Sequence, residues 1–208
     1  MAQGRFITFE GGEGTGKSTQ VLRLVERLRE RDLDVVQTRE PGGSPGAEDI
    51  RAIALNGDAG RWSPVTETLL MFAARSDHLE RTIRPALETG RWVVCDRFAD
   101  SSRAYQGVGG GTPAAFIETL DAAIVGTTQP DLTLVFDLPV EVGLERAFGR
   151  GLFETRFESK GLEFHDRLRR GFLDIAARYP ERCVIIDADG DQDRVETRVW
   201  AAVEARLL

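Results

Sequence analysis

Lysine, histidine and cysteine are all scarce in this chain. It has 208 residues, of which 27 are basic, yet only Lys17 and Lys160 are lysines; two residues are histidines and two are cysteines. Cys95 and Cys183 lie in apolar segments that are typical of strands, which predicts reduced core thiols of a cytoplasmic protein. The two histidines have no cysteine neighbours in the sequence, so we do not expect a zinc-type site.

The sequence also lacks long apolar runs and an excess of positive charge. No run approaches the roughly 20 residues that a bilayer span needs, and the N-terminus does not resemble a signal peptide. The net charge of −7 disfavours bulk binding to nucleic acid or to an anionic membrane. We therefore expect one cytoplasmic domain, residues 1–208, without a nucleic-acid or membrane partner.

Short β-branched segments alternate with longer amphipathic ones along the whole chain. This alternation predicts βαβ units, and hence an α/β fold in which helices cover both faces of a five-stranded parallel sheet. Ligands of such sheets bind beyond the carboxyl ends of the strands. The expected strands are Arg5–Glu10, Asp34–Thr38, Trp92–Cys95, Leu132–Asp137 and Cys183–Asp187. The expected helices are Ser18–Arg31, Pro64–Glu88, Pro113–Val125, Val140–Phe148, Leu162–Arg178 and Arg194–Leu207, and the segments 39–46 and 149–160 are expected to be irregular.

A phosphate-binding motif follows the first expected strand and precedes the first expected helix. Residues 11–18 read Gly-Gly-Glu-Gly-Thr-Gly-Lys-Ser and match G-x-x-x-x-G-K-[ST], the P-loop pattern. Glycines let successive backbone N–H groups surround an anion, and the helix N-terminus adds partial positive charge. Lys17 is placed to reach the β- and γ-phosphates, and the Ser18 hydroxyl to ligate Mg²⁺. The motif predicts binding of a nucleoside triphosphate and a three-layer sandwich of the P-loop NTPase type.

A second anion site is expected where the third strand ends, at Asp96 and Arg97. The carboxylate is placed to orient Mg²⁺, and the guanidinium to hold a phosphate with two hydrogen bonds. The variable positions of the P-loop contain no arginine, so the cations that phosphoryl transfer needs must come from elsewhere. Arg146, Arg150 and Arg156 flank or lie in the segment 149–160, which we interpret as a lid that closes over the phosphates.

Several motifs together resemble those of bacterial thymidylate kinases. They are the P-loop within Phe9–Thr19, Thr-Arg-Glu-Pro-Gly-Gly at 38–43, Phe-Ala-Ala-Arg at 72–75, and Asp-Arg-Phe at 96–98 continuing to Ser-Ser-Arg-Ala-Tyr-Gln-Gly at 101–107. The likeness extends over essentially the whole chain. The P-loop alone is specific only for nucleotide binding, whereas the combination is typical of this family. An arginine-free P-loop beside an arginine-bearing lid resembles the branch that includes the enteric bacterial enzymes.

This resemblance implies transfer of the γ-phosphoryl group of ATP to dTMP, giving dTDP and ADP in dTTP synthesis, with Mg²⁺ and a homodimer. It implies Lys17, Arg97, Arg150 and Arg156 as catalytic residues and Ser18 and Asp96 as the metal site. It implies that ATP binds at Gly11, Gly12, Glu13, Gly14, Thr15, Gly16, Lys17, Ser18, Thr19 and Arg146. It implies that dTMP binds at Glu13, Glu40, Arg51, Met71, Phe72, Arg75, Arg97, Ser102, Tyr105 and Gln106.

Two points stay open at the level of sequence. The family usually has an aromatic residue four positions before the arginine that reads the base; here that position is Met71, with Phe72 beside it, and either side chain is suited to pack on thymine. The alternative functions are another P-loop nucleotide or nucleoside kinase, and a P-loop ATPase that acts on a protein partner. The latter would hydrolyse ATP without stimulation by an acceptor.

Overall fold

The computed structural model describes residues 4–58, 60–149 and 160–208. Within these ranges, five parallel strands form one sheet in the order β2-β3-β1-β4-β5. The strands are β1 (Phe6–Gly11), β2 (Val35–Arg39), β3 (Trp92–Asp96), β4 (Leu132–Asp137) and β5 (Cys183–Asp187). All the expected strands are confirmed, each to within one residue at either end.

The helices are more numerous than expected. They are α1 (Lys17–Arg29), α2 (Pro45–Leu55), α3 (Pro64–His78), α4 (Arg84–Glu88), α5 (Ala99–Ser102), α6 (Ala114–Ile124), α7 (Val140–Phe148), α8 (Leu162–Arg178) and α9 (Gln192–Leu207), with π-helical segments at Leu79–Ile83 and Arg103–Gly109. The first π-helical segment joins α3 to α4, so the long helix expected at Pro64–Glu88 is one helical run with a wider turn in it. Among the described helices, none combines the length and the apolar character that crossing a bilayer requires.

Two of the helices, α2 and α5, were not predicted from the sequence. The segment 39–46 was expected to be irregular throughout, but α2 begins inside it, at Pro45. Proline fits the first turn of a helix because the N–H groups of that turn have no partner within the helix, so the N–H that proline lacks is not needed there. The short α5 and the π-helical segment after it have a Ser- and Gly-rich sequence without helical periodicity, so no pattern indicated them.

Both faces of the sheet are buried, and alternate residues of each strand point to opposite faces. On one face, Ile7, Phe9 and Leu134 pack with side chains of α1 and α9. On the other, Phe6 and Cys95 pack beneath the π-helical segment Leu79–Ile83, α4 and α5. The expected burial of Cys95 and Cys183 is confirmed. The predicted fold, a three-layer α/β sandwich of the P-loop NTPase type, is confirmed.

The strands β2 and β3 end at the same level, and β1 ends two residues beyond them; this arrangement places the site. In the sheet register, Asp96 of β3 is paired with Phe9 of β1 on one side and with Arg39 of β2 on the other. The backbone N–H of Arg97 donates to the Phe9 carbonyl at 2.9 Å, and the N–H of Glu40 donates to the Asp96 carbonyl at 2.9 Å. The P-loop, Arg97 and Glu40 therefore leave the sheet side by side.

Candidate active site

A cavity of about 290 Å³ opens at the carboxyl ends of β1, β2 and β3. It is continuous from the P-loop to α3, and its lining residues extend from Glu13 to Ala147, 134 positions apart in the chain. The predicted site residues that line it are Glu13, Gly14, Thr15, Gly16, Lys17, Ser18, Glu40, Arg51, Met71, Arg75, Asp96, Arg97, Ser102, Tyr105 and Gln106.

Lys17 closes the phosphate end of the cavity. Its Nζ donates to the Gly12 carbonyl at 2.6 Å and to the Gly11 carbonyl at 3.1 Å, and it lies 3.3 Å from the Thr15 hydroxyl. Burial, and then the neighbouring Arg97, lower the pKa of Lys17 to about 8. The ammonium is still protonated at neutral pH, and the hydrogen bonds described above go to uncharged oxygens, an arrangement that suits the binding of phosphate oxygens.

The P-loop rests directly on the backbone of α7. Gly14 has a φ of +68° and faces the carbonyl of Gly143 so closely that a Cβ at Gly14 would collide with it. In the reverse direction, a Cβ at Gly143 would lie 2.6 Å from the Glu13 carbonyl oxygen. Glycine is therefore required on both sides of this contact.

Ser18 and Asp96 form an oxygen-bearing pair beside the phosphate end. The Ser18 Oγ donates to Asp96 Oδ2 at 2.6 Å. A hydroxyl and a carboxylate that approach each other at the mouth of a phosphate-binding loop are ligands of the type that Mg²⁺ prefers. These residues fit the predicted metal position.

Arg97 occupies the centre of the cavity in an uncommon backbone conformation, with a φ of +72°. Its Nη1 donates to the Gly11 carbonyl at 2.9 Å, and its Nη2 donates to Glu13 Oε1 at 3.1 Å. Burial opposes the charge of Arg97, but Tyr105, Glu13 and Asp96 outweigh it and raise the pKa of Arg97. The strain of a left-handed arginine is tolerated where it aims a functional group.

Glu13 links the P-loop to this arginine and to Tyr105. Glu13 Oε1 accepts from Arg97 Nη2 and also from the Tyr105 hydroxyl, at 2.6 Å. Burial works against ionisation of Glu13, but Arg97 and then Lys17 lower its pKa to about 2. The guanidinium of Arg97 also lies 4.9 Å from the centre of the Tyr105 ring. The three side chains form one hydrogen-bonded and stacked unit.

A buried carboxylate holds the turn that carries Arg97. Glu10, at the end of β1, has no exposed surface. Its Oε1 accepts from the backbone N–H groups of Phe98 at 2.8 Å and Ser101 at 3.1 Å, and its Oε2 accepts from the Ser101 hydroxyl at 2.6 Å. Burial and the nearby Asp100 raise the pKa of Glu10 to about 7.

We expect Glu10→Gln to change how the stability of the protein depends on pH. The unfolded chain loses this proton near pH 4.5, whereas the folded chain keeps it to about pH 7. Rising pH between these values favours the unfolded state, so the contribution of Glu10 to the free energy of unfolding is complete below pH 4.5 and lost above pH 7. The loss is about 3 kcal/mol.

Urea denaturation at pH 5, 6, 7 and 8 measures this effect as a difference between the wild type and E10Q. The variant keeps the hydrogen bonds, because an amide oxygen accepts from both N–H groups and the amide nitrogen donates to the Ser101 hydroxyl. Stability of the wild type relative to E10Q should fall across this range. The control is E80Q, at an exposed glutamate, which should follow the wild type. Parallel curves for E10Q and the wild type would contradict the raised pKa.

Arg75 lies at the far end of the cavity, on α3. Its Nε donates to Glu40 Oε2 at 2.8 Å, its Nη1 to the Ser102 hydroxyl at 3.1 Å and its Nη2 to the Phe98 carbonyl at 3.0 Å. Glu40 also contacts His78 Nδ1 at 3.0 Å, and His78 is fully buried. The guanidinium is thus fixed by acceptors from two other segments of the chain, at Glu40 and at 98–102, and Arg75 lines the cavity wall.

Met71 and Phe72 lie in different environments in the structure. Met71 lines the cavity, whereas Phe72 packs behind the wall with its ring centre 4.7 Å from the Arg75 guanidinium. Of the two side chains, Met71 is the one that a base in this cavity would touch, and Phe72 supports Arg75. The sulfur of a methionine packs favourably on an aromatic ring.

The remaining predicted residues lie outside the cavity wall or outside the described part of the chain. Gly11, Gly12 and Thr19 contribute no lining surface, and Arg146 on α7 donates to the Ala188 carbonyl at 3.2 Å. Arg150 and Arg156 lie outside the described residues, as does most of the proposed lid, residues 149–160. Sequence reasoning missed the lining residues Arg39, Pro41, Leu55, Phe98, Ser101 and Ala147. Of these, Arg39 and Pro41 fall within the motif noted at 38–43, and Phe98 and Ser101 fall within the motif noted at 96–107; those motifs were the available signal.

The sheet order, the P-loop and the cationic pocket beside it define a class of protein. A triphosphate held on the loop and a phosphate held at Arg97 would lie in one cavity, which is the arrangement of a P-loop kinase. A sequence model of the thymidylate kinase family matches residues 9–199, and this chain belongs to that family. The prediction of a thymidylate kinase, made from the motifs, is confirmed.

Individual relatives agree with the family match over full length. The chain is 61% identical to a thymidylate kinase of Caulobacter vibrioides, covering 100% of this chain and 99% of that one. It is 52% identical to a thymidylate kinase of Bradyrhizobium diazoefficiens, covering 99% and 91%. The crystal structure of thymidylate kinase from Ehrlichia chaffeensis is similar to it with a TM-score of 0.78 and 33% identity, covering 97% and 99%.

Proposed function

We propose that this chain transfers the γ-phosphoryl group of ATP to the 5′-phosphate of dTMP, giving ADP and dTDP for dTTP synthesis in the cytoplasm. The observation that carries the proposal is the single cavity that joins Lys17 at one end to Arg97 in the middle and Arg75 at the other. The phosphates of ATP lie on Gly11–Ser18. The phosphate of dTMP lies at Arg97, and its base lies between Met71 and Arg75.

The reaction needs no covalent intermediate on the protein. An oxygen of the dTMP phosphate attacks the γ-phosphorus while the bond to ADP breaks, so the phosphoryl group passes directly between the nucleotides. Lys17 neutralises the donor phosphates, and Arg97 holds the acceptor phosphate and its growing charge. Glu13 lies at the sugar 3′-hydroxyl, and the Tyr105 ring, fixed to Glu13, packs beneath the sugar and disfavours a 2′-hydroxyl.

Mg²⁺ belongs to this proposal as the companion of ATP. Ser18 and Asp96 would hold the ion or its waters, and the bound ion would supply positive charge to the phosphate oxygens. Glu40 and Arg51 complete the acceptor side; the Nη1 of Arg51 donates to the Pro41 carbonyl at 2.6 Å and keeps this residue at the cavity wall.

The donor side is completed from α7 and from the segment that follows it. Arg146 lies beside the loop after β5 and is placed to contact ATP there. Arg150 and Arg156 bring further charge to the phosphates as part of a lid that excludes water and so prevents hydrolysis of ATP. This lid completes the single kinase domain.

We also propose that the chain is a homodimer. Val65 and Leu69 on α3 are 44% and 46% exposed, which leaves an apolar strip on the outer side of the helix that carries Met71 and Arg75. A second copy of the chain would cover such a strip. Assembly through α3 would hold the base end of the cavity rigid.

The preferred acceptor tests the proposed function. In an assay that couples ADP release to NADH oxidation, dTMP should give a higher kcat/KM than dCMP, dGMP and thymidine, because Arg75 and Gln106 at the base end suit a pyrimidine with a 4-carbonyl. The same assay with dUMP, which shares that carbonyl, measures the contribution of the 5-methyl group. Thymidine lacks the phosphate that Arg97 holds and should not react. Preference for dGMP or thymidine would indicate a different P-loop kinase, and acceptor-independent hydrolysis would indicate an ATPase.

A further inference from the structure

Glu67 lies behind the base end of the cavity and has no place in the reaction described above. It precedes Met71 and Arg75 by four and eight positions on α3, so the three side chains follow one face of the helix. Met71 and Arg75 line the cavity, whereas Glu67 is buried, with 7% of its surface exposed. A buried glutamate in this position needs a hydrogen-bond donor.

One donor is the carboxamide of Gln106, which does line the cavity. Gln106 Nε2 donates to Glu67 Oε1 at 3.1 Å, and Gln106 is only 3% exposed. An ionised carboxylate accepts hydrogen bonds and cannot donate them. Glu67 therefore selects the N–H₂ end of the amide and leaves the carbonyl oxygen, Oε1, as the polar atom that Gln106 offers to the cavity.

The orientation of this amide matters for the choice of base. Thymine presents a donor at N3 and an acceptor at O4, whereas cytosine presents an acceptor at N3 and an amino donor at C4. Arg75 has only donors. A site with Arg75 and the Gln106 oxygen is thus complementary to thymine, and it meets cytosine with like groups at both positions.

We propose that Glu67 is a positioning residue for base selection, which holds the Gln106 oxygen toward N3–H of thymine and so rejects cytosine. This inference rests on the proposed function, because it assumes that dTMP binds with its base at Arg75. Glu67 acts on selectivity without touching the substrate. A free amide in the same place would rotate to suit either base.

Glu67→Gln tests this role. The glutamine introduced at position 67 has an amide that can either accept from or donate to Gln106, so the Gln106 carboxamide is no longer held in one orientation. The ratio of kcat/KM for dTMP to that for dCMP should fall by roughly 10- to 100-fold, because cytosine then finds a donor for N3. The change for dTMP should appear mainly in KM, because the base is remote from the transferred phosphoryl group.

The double variant E67Q/Q106E distinguishes positioning from a merely structural role. The Q106E carboxylate accepts from the E67Q amide with one oxygen and from N3–H with the other, so the selectivity for dTMP should recover above that of E67Q. E80Q removes an equal charge from the same helical run and should leave the ratio unchanged. An unchanged ratio in E67Q, or a double variant no more selective than E67Q, would overturn the proposal.

A measurement on the wild type keeps the proposal testable if the variants fold poorly. The side-chain amide protons of Gln106, assigned by their absence in Q106E or by selective glutamine labelling, should exchange slowly with solvent both before and after dTMP is added. Rapid exchange of these protons before dTMP is added, or a large change in their chemical shift when dTMP binds, would place the N–H₂ group toward the base and contradict the proposal. A wild type that does not prefer dTMP would instead refute the proposed function.

Discussion

Replacing Arg97 with alanine is expected to lower kcat for dTMP by roughly 10³- to 10⁵-fold, the range found for arginines that stabilise phosphoryl transfer. Arg97 lies between the P-loop carbonyl of Gly11 and the Glu13 carboxylate, which places it at the junction of the proposed ATP and dTMP sites. Without it, the proposed acceptor-phosphate site loses its main cation, and Glu13 keeps only the weaker compensation of Lys17 and the hydrogen bond from Tyr105. Steady-state kinetics with saturating ATP measure the effect.

R97K separates charge from geometry. A lysine keeps one positive charge but cannot make two parallel hydrogen bonds to a phosphate, so most of the loss should remain. R31A, at a half-exposed arginine that stacks on Trp200 away from the cavity, should keep the wild-type rate. An R97A enzyme within tenfold of the wild type would show that the acceptor phosphate binds elsewhere.

Lys17→Ala should reduce turnover by about 10³-fold or more, with the fold intact. The side chain is buried, and its partners within the protein are two backbone carbonyls and the Thr15 hydroxyl. Since burial already lowers its pKa to about 8, removing the ammonium relieves a desolvated charge and should not destabilise the chain. The rate of dTDP formation measures the loss.

Circular dichroism and thermal denaturation of K17A provide the control for folding. A transition temperature close to that of the wild type, together with lost turnover, is the expected pair of results. If K17A is folded and retains near-full turnover, the assignment of the phosphate-binding loop is wrong.

Strong local signals made much of this molecule predictable. The five buried strands are short β-branched runs with turn residues at their ends, and a parallel sheet buried on both faces requires such runs. The P-loop and the residues at 96 and 97 followed from position, because groups at the carboxyl ends of neighbouring parallel strands meet. Long helices such as α8 were visible through their apolar periodicity.

The positioning residues were not predictable in the same way. Glu10 and Glu67 are isolated glutamates in the sequence, and their roles depend on contacts with Ser101 and Gln106, which lie 91 and 39 positions away. Choosing between Met71 and Phe72 requires knowing which side of α3 faces the cavity. Adjacent residues of a helix point in directions about 100° apart, and the sequence did not indicate which of the two directions is the inner one. The left-handed φ of Arg97 could not be predicted, because nothing in the composition around it indicates that conformation.

The contact between Gly14 and Gly143 limits where this enzyme could evolve a cation of its own within the loop. An arginine at position 14 would have to push α7 aside, since its Cβ would enter the backbone of that helix. Position 12 has open space around it and would accept a long side chain without such a collision. Relocating charge to the loop at position 14 would thus require a shift of the α7 backbone, because residue 143 is already glycine and no substitution there removes the collision, whereas at position 12 a single substitution is enough.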